Sequence, residues 1–340
     1  MFSKGFKKIV LSSIIAATTL PLFASEVNVY THRHYATDKK LINMFTKQTG
    51  IKVNVVKGKA SQLIKRLEIE GEYSPADILI TVDAGRLEIA KNKGLLQSVS
   101  SKTLDSNVPA HLRDRDGMWY SLTKRARVIV YNKDRVTPDM LSTYEDLADP
   151  KWKNKIAVRS SNNIYNQSLL ASMIAHNGKE ESLAWAKGVV KNLARKPKGN
   201  DSDQAKAIVA GIGDIAVMNT YYIGRMSNSK DPAEQKIIKK VGVFFPNQGD
   251  RGTHVNISGA GVTKYSKNKE NAIKYIEFLS SKEAQTIYAQ ANYEYPVLKG
   301  VEPSELVKSW GSFKEDSLPI DTLGKLNSEA VRTFDKAGWR

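Results

Sequence analysis

Residues 26 to 82 alternate short β-type runs with stretches of helical period, and that alternation limits the fold more than any other feature of the chain. Val27 to Thr31 reads as a strand. Asp38 is expected to cap a helix whose apolar positions Leu41, Ile42, Met44 and Phe45 recur at helical spacing until Gly50 ends it. Residues 51–56 form the next strand, 61–70 the next helix and 77–81 the third strand. This is a βαβαβ half of doubly wound type, in an α/β architecture with mostly parallel sheets.

The pattern resumes further on. Residues 127–131, 156–159 and 214–218 read as strands, followed by helices near 144–148, at 163–176 and just after 218. They make a second α/β unit over residues 126–249. Beyond it, β-type residues near Phe244 and at 255–262 precede helices at 271–279 and 282–292. A chain that leaves the first unit near 125 and returns near 250 joins the two through paired connections, which is hinge geometry. The expected organisation is a first lobe of residues 25–125 plus 250–300, a second lobe of 126–249, and C-terminal helices in 301–340 packed on the second lobe.

Lys4, Lys7 and Lys8 precede a mostly apolar run from Ile9 to Phe23, and Leu22-Phe23-Ala24 leads into Ser25. These are the three parts of a secretory signal peptide, residues 1–24, cut near Ala24. The run is too short for a membrane anchor and is interrupted by Ser12, Ser13, Thr18, Thr19 and Pro21. The absence of cysteine rules out disulfides, thiolate catalysis, Cys-ligated zinc, iron–sulfur clusters and a Cys-borne lipid. An exported chain with no lipid anchor is retained only between two membranes, so the periplasm is the expected address.

The formal net charge of +17 raises the question of an anionic partner, and the excess survives removal of the three leader lysines. The lysines are spread through Lys39-Lys40, Lys191 to Lys198 and Lys236 to Lys240 without an aromatic-interleaved platform, so no nucleic acid is expected. An exported hydrolase lacks support too, with neither a Gly-x-Ser-x-Gly elbow nor a His-Glu-x-x-His helix in the sequence.

In open α/β sheets ligands sit beyond the carboxyl ends of strands, where the next helix presents its N-terminus. Three such junctions carry tyrosine: Thr31-His32-Arg33-His34-Tyr35, Ser160-Ser161-Asn162-Asn163-Ile164-Tyr165 and Asn219-Thr220-Tyr221-Tyr222. Adjacent residues diverge by about 100° on a helix and point to opposite faces of a strand, so Tyr221 and Tyr222 can share a cleft only at an irregular element end. Several phenols and an imidazole in one cleft suit a hard, highly charged cation. Holding a phenol ionised at pH 7 without help costs about 4 kcal/mol, which a trivalent ion repays through direct bonds. Calcium calls for a carboxylate-rich loop and zinc for His or Cys clusters, neither of which stands at these turns. Ferric iron is the natural occupant.

The spacing Arg33-His34-Tyr35, the Asn219-Thr220-Tyr221-Tyr222 turn with Arg225, the stretch Lys198 to Asp203 and the run Asn292-Tyr293-Glu294-Tyr295-Pro296-Val297 resemble the ferric-ion-binding periplasmic proteins of bacterial ABC iron importers. The resemblance implies a two-lobed periplasmic-binding-protein fold of class II, related to transferrin lobes, with the ligand cleft between lobes joined by hinge strands. It implies a monomeric carrier, not an enzyme, that takes one Fe3+ and delivers it to an inner-membrane ABC permease. The family's paired tyrosine maps on Tyr221 and Tyr222 and its N-terminal histidine on His34, while Tyr35 and Tyr165 match the variety with additional tyrosines. Some members use a first-lobe carboxylate. This sequence departs from that pattern, which leaves open whether carbonate or phosphate completes the shell. Arg33 and Arg225 would balance the phenolates or hold an anion, and His32 competes with His34 as the imidazole. The same fold binding an organic solute such as a polyamine, thiamine or an organic anion is the alternative.

Overall fold

The computed structural model describes residues 25–340 except His34. The leader and the histidine expected at the site therefore lie outside the described residues.

Nine strands form one continuous mixed sheet in the order β2-β1-β3-β8-β4-β6-β5, with β7 and β9 also paired to β4. They are β1 (Glu26–Thr31), β2 (Lys52–Lys57), β3 (Ile78–Val82), β4 (Tyr120–Asn132), β5 (Ile156–Ala157), β6 (Ile215–Asn219), β7 (Val241–Phe244), β8 (Val255–Val262) and β9 (Tyr295–Pro296). The first half follows the sequence reading, with β1 parallel to β2 and to β3. The expectation of mostly parallel pairing fails in the centre. There β8 runs antiparallel to β3 and β4, and β4 runs antiparallel to β6 and β7. The reason is the route of the chain: β4 and β8 are connections between the two halves that cross in opposite directions. Residues 120–126 of β4 pair with β8, whereas Arg127 to Tyr131 pair with β6. One strand thus passes from one lobe to the other, as a hinge strand must.

The helix after β1 spans Ala36–Thr49 and buries Leu41 and Phe45. Its cap is Tyr35, not Asp38. Asp38 occupies the third helical position and reaches back to accept from the Tyr35 N–H at 3.2 Å, the reciprocal half of a capping box. The helix expected at 144–148 is a 3-10 turn, Glu145–Ala148. The helix expected to stop at 176 runs on as Ile164–Asn192, with a break at Gly178, where φ is +80°. Glycine takes that conformation without the penalty a Cβ imposes, so the chain turns there and resumes.

Three helices that the sequence reading left unassigned, Ala84–Asn92, Asp201–Val209 and Pro232–Lys240, complete the layers. The C-terminal helix Asn327–Ala337 packs on Ile164–Asn192. Its neighbour Asp321–Lys325 packs on both Ala84–Asn92 and Ile164–Asn192. Among the described residues no helix is long and apolar enough to cross a membrane.

Candidate metal centre

The strand ends bring four tyrosines together, each at the start of a helix. Tyr35 caps Ala36–Thr49. Tyr165 is the second residue of Ile164–Asn192, whose cap Asn163 accepts from the Tyr165 N–H at 3.0 Å. Tyr221 and Tyr222 open the helix Thr220–Ser227 behind cap Asn219. Unsatisfied N–H groups and the positive end of the helix dipole favour negative charge at such positions.

The hydroxyls of Tyr165 and Tyr221 stand 3.3 Å apart. The rings of Tyr221 and Tyr222 lie 4.4 Å apart, tilted by 34°, so the element end does direct both towards one place. Burial pushes the Tyr221 phenol well above its ordinary pKa, and the neighbouring phenols of Tyr165, Tyr35 and Tyr222 add to the shift. Tyr35 is raised by burial and then by Glu294, against the pull of Arg33 and Arg125. Tyr222 is raised by burial, Tyr165 and Asp201. In the free protein the phenols of Tyr35, Tyr221 and Tyr222 are thus held neutral, and a cation among them would relieve burial and mutual repulsion together.

Four arginines surround this cluster. Arg33 is 2% exposed, lies 3.4 Å from Glu294 and 3.5 Å from Asp38, and places its guanidinium 4.8 Å from the Tyr35 ring centre. Arg159 donates to Asp201 at 3.2 Å and to the Tyr222 hydroxyl at 3.4 Å. Arg127 donates to Asn166 at 2.6 Å, Asn219 at 3.0 Å and Asp201 at 3.3 Å. Asp201, fully buried, also accepts from the Asn219 N–H at 2.7 Å and so fixes the start of the helix bearing the paired tyrosines.

Arg125 differs from the other three. It is 1% exposed, its guanidinium is 5.7 Å from the Tyr165 ring centre, and among the described residues that guanidinium's one hydrogen bond goes to Ser258 Oγ at 3.3 Å. Its Nε and Nη2 have no acceptor among the described residues. A buried guanidinium without a carboxylate is costly unless negative charge arrives beside it.

The structure thus brings Tyr35, Tyr165, Tyr221 and Tyr222 to one cluster and Arg33 to its edge. Arg225 does not take the expected part. It is exposed on the outer side of its helix, and Arg159 stands at Tyr222 instead. His32 is partly buried beside β1, its N–H donating to the Ile80 carbonyl at 2.9 Å. The sequence reading missed Arg125, Arg127, Arg159 and Asp201. A signal existed for two of them: Arg125 and Arg127 alternate in a strand whose only other charged residue is Lys124, and a spacing of two puts both on one face.

Among the described residues no group of three His, Asp or Glu side chains is placed to hold a metal, so a cation here would depend on phenol oxygens. Residues 74–310 match the model of the family described as bacterial extracellular solute-binding protein. The chain belongs to that family. Within it, the chain is 54% identical over 315 residues to iron uptake protein A1 of Synechocystis sp., covering 93% of this chain and 88% of that protein. It is 28% identical to the major ferric iron-binding protein of Neisseria meningitidis serogroup B over 97% of each. A solved Trichodesmium structure, in complex with iron and citrate ligands, superposes with a TM-score of 0.91 at 53% identity over 93% of this chain and 100% of that one. The ferric binding protein from Campylobacter jejuni gives 0.88 at 50% identity, over 92% and 100%. The two-lobed solute-binding fold is therefore common to this chain and those proteins.

Proposed function

We propose that this protein captures one ferric ion in its interlobe cleft and hands it to an inner-membrane ABC permease, acting in the periplasm as a monomeric carrier and not as an enzyme. The observation that carries this reading is the convergence of four phenols at three helix starts, ringed by arginines, where among the described residues no group of three His, Asp or Glu side chains competes for a metal. Hard, anionic oxygen donors match a hard trivalent ion. The names of relatives that bind ferric iron support the same ligand class.

In this reading Tyr35, Tyr165, Tyr221 and Tyr222 would hold the ion, with His34, next to Tyr35 in sequence, as the imidazole. Arg33 and Arg159 orient phenols and offset their charge. Arg125, lacking a carboxylate partner, is the group able to face an anion that completes the metal's shell, and the relative with iron and citrate supports that part. Export by the signal peptide, cut near Ala24, is consistent with membership of an extracellular family.

The test is to load the protein, purified without chelator, with ferric citrate and to measure iron content and the visible charge-transfer band of ferric phenolate. One iron per chain and a band lost in Tyr221→Phe and Tyr222→Phe are expected. A colourless, iron-free protein that binds an organic cation instead would sink the proposal.

A further inference from the structure

Inside the first lobe, between the sheet and the helices Ala36–Thr49, Lys269–Ser280 and Lys282–Asn292, lies a second cavity of about 190 Å3. That is many times the room one water needs. It contains no residue of the second lobe and none of the four clustered tyrosines. Ile42 and Val55 are among its apolar walls, and Lys39 and Lys57, both exposed, stand at its margin.

Its polar groups are unbalanced. Tyr275 and Tyr288 line it with side chains 4% and 2% exposed, and neither hydroxyl bonds another described residue, although buried tyrosines normally find a partner. Arg33 Nε is buried without an acceptor, and the nearest carboxylate, Asp38, stands at 3.5 Å. The Arg33 guanidinium lies 4.7 Å from the Tyr288 ring centre, so these donors share one end of the cavity. Arg33 Nε and the two phenol hydroxyls face Asp38 and Thr31 Oγ1, which already accepts from the Arg33 N–H at 2.9 Å, while Glu294 pairs with Arg33 Nη2 at 3.4 Å; two lysines add positive potential, and the remaining wall is apolar. Such a site asks for a molecule that only accepts at one end and is greasy at the other.

We infer that this cavity binds a small organic carboxylate, its carboxylate towards Arg33, Tyr275 and Tyr288 and its body against Ile42 and Val55. The inference does not depend on the metal reading, and it is tested on the metal-free, full-length exported chain. Benzoate and isobutyrate are titrated by calorimetry and by saturation-transfer NMR, with benzamide as the neutral isostere. Both carboxylates should bind and benzamide should not. Lys57→Glu at the rim and Tyr288→Phe should each weaken benzoate about tenfold, the ordinary worth of one interaction with a charged group. Val55→Phe should fill the cavity and remove binding. Should that variant fail to fold, the exposed Lys57 variant carries the test. Equal binding of benzamide and benzoate, no binding of either carboxylate at millimolar concentration, or benzoate binding unchanged by Lys57→Glu would each overturn the assignment.

Discussion

Tyr221 shows how much a single buried hydroxyl can decide. Its pKa stands well above the ordinary value through burial and its phenol neighbours, so in the proposed site its proton would leave only as a metal replaces it. Metal binding must release that proton, so affinity rises with pH and falls as pH drops, by about tenfold per pH unit for each phenol ionised on binding. Proton release in unbuffered titrations with ferric citrate measures this directly. A pH-independent affinity would contradict phenolate ligation. Tyr221→Phe should weaken iron binding by more than about a hundredfold while leaving the fold intact, since losing a ligand costs more than losing one of its supports.

His254 supplies a pH effect of different origin. Burial first, and then Arg127, Arg125, Arg251 and His176, push its pKa down to about 3. The imidazole is neutral in the fold but takes a proton near pH 6.5 once unfolded, so the unfolded state binds more protons below that value. Stability should therefore fall as pH drops from about 6.5 towards 3. Urea midpoints of the wild type and His254→Gln, measured from pH 7 to pH 4, should show a shallower acid decline in the variant.

At the scale of elements, the helix Thr220–Ser227 depends on how closely it is seated. A Cβ on Gly224 would lie 2.3 Å from the Tyr293 Cβ, so Gly224→Ala forces the helix or Tyr293 to move, at about 1 to 3 kcal/mol. Iron affinity should drop although no ligand is altered, which combined urea unfolding and iron titration would detect. Asp83 ties three elements together. Its carboxylate accepts from the Gly85 N–H at 3.0 Å, from Ser168 Oγ at 2.7 Å and from Asn256 Nδ2 at 2.9 Å, joining the helix Ala84–Asn92 to β8 and to the helix that carries Tyr165. It does so with φ at +78°, a strained value for a residue with a Cβ. Asp83→Ala loses the bonds and keeps the strain, and should destabilise by about 2 to 4 kcal/mol. Asp83→Gly loses the same bonds but relieves the strain, and should be the milder variant by about 1 kcal/mol in urea unfolding.

For the whole molecule, β4 runs from its pairing with β8 to its pairing with β6, and the proposed metal site draws on both halves of the sheet. Tyr35 follows β1, whereas Tyr165 follows β5 and Tyr221 and Tyr222 follow β6, so in the proposed site an ion would gain its full contacts only with the two halves together. A ligand that binds only this folded arrangement raises its stability by mass action, about 4 kcal/mol at a thousandfold excess over Kd. Adding a strong chelator to the iron-loaded protein should lower its Tm by several degrees. Equal Tm values with and without iron would show that the metal does not engage the folded cleft.

The sequence by itself determined the period-based elements, the α/β class, the three tyrosine-bearing strand ends and, through the resemblance they carry, the family. Those features are local: a helical period, a cap or a pair of adjacent tyrosines is written in residues a few positions apart. Asp38 was legible as a capping residue but not its place three residues inside the helix, because a carboxylate can cap from either position. Tertiary structure alone decided the antiparallel centre of the sheet, since pairing of β4 with β8 joins residues 129 to 140 positions apart. It alone replaced Arg225 by Arg159 at Tyr222, because which arginine faces a phenol depends on how two helices and a strand end are packed. It alone left Arg125 buried without a carboxylate: burial is a property of the whole fold, and no window of sequence records which charges end up inside it.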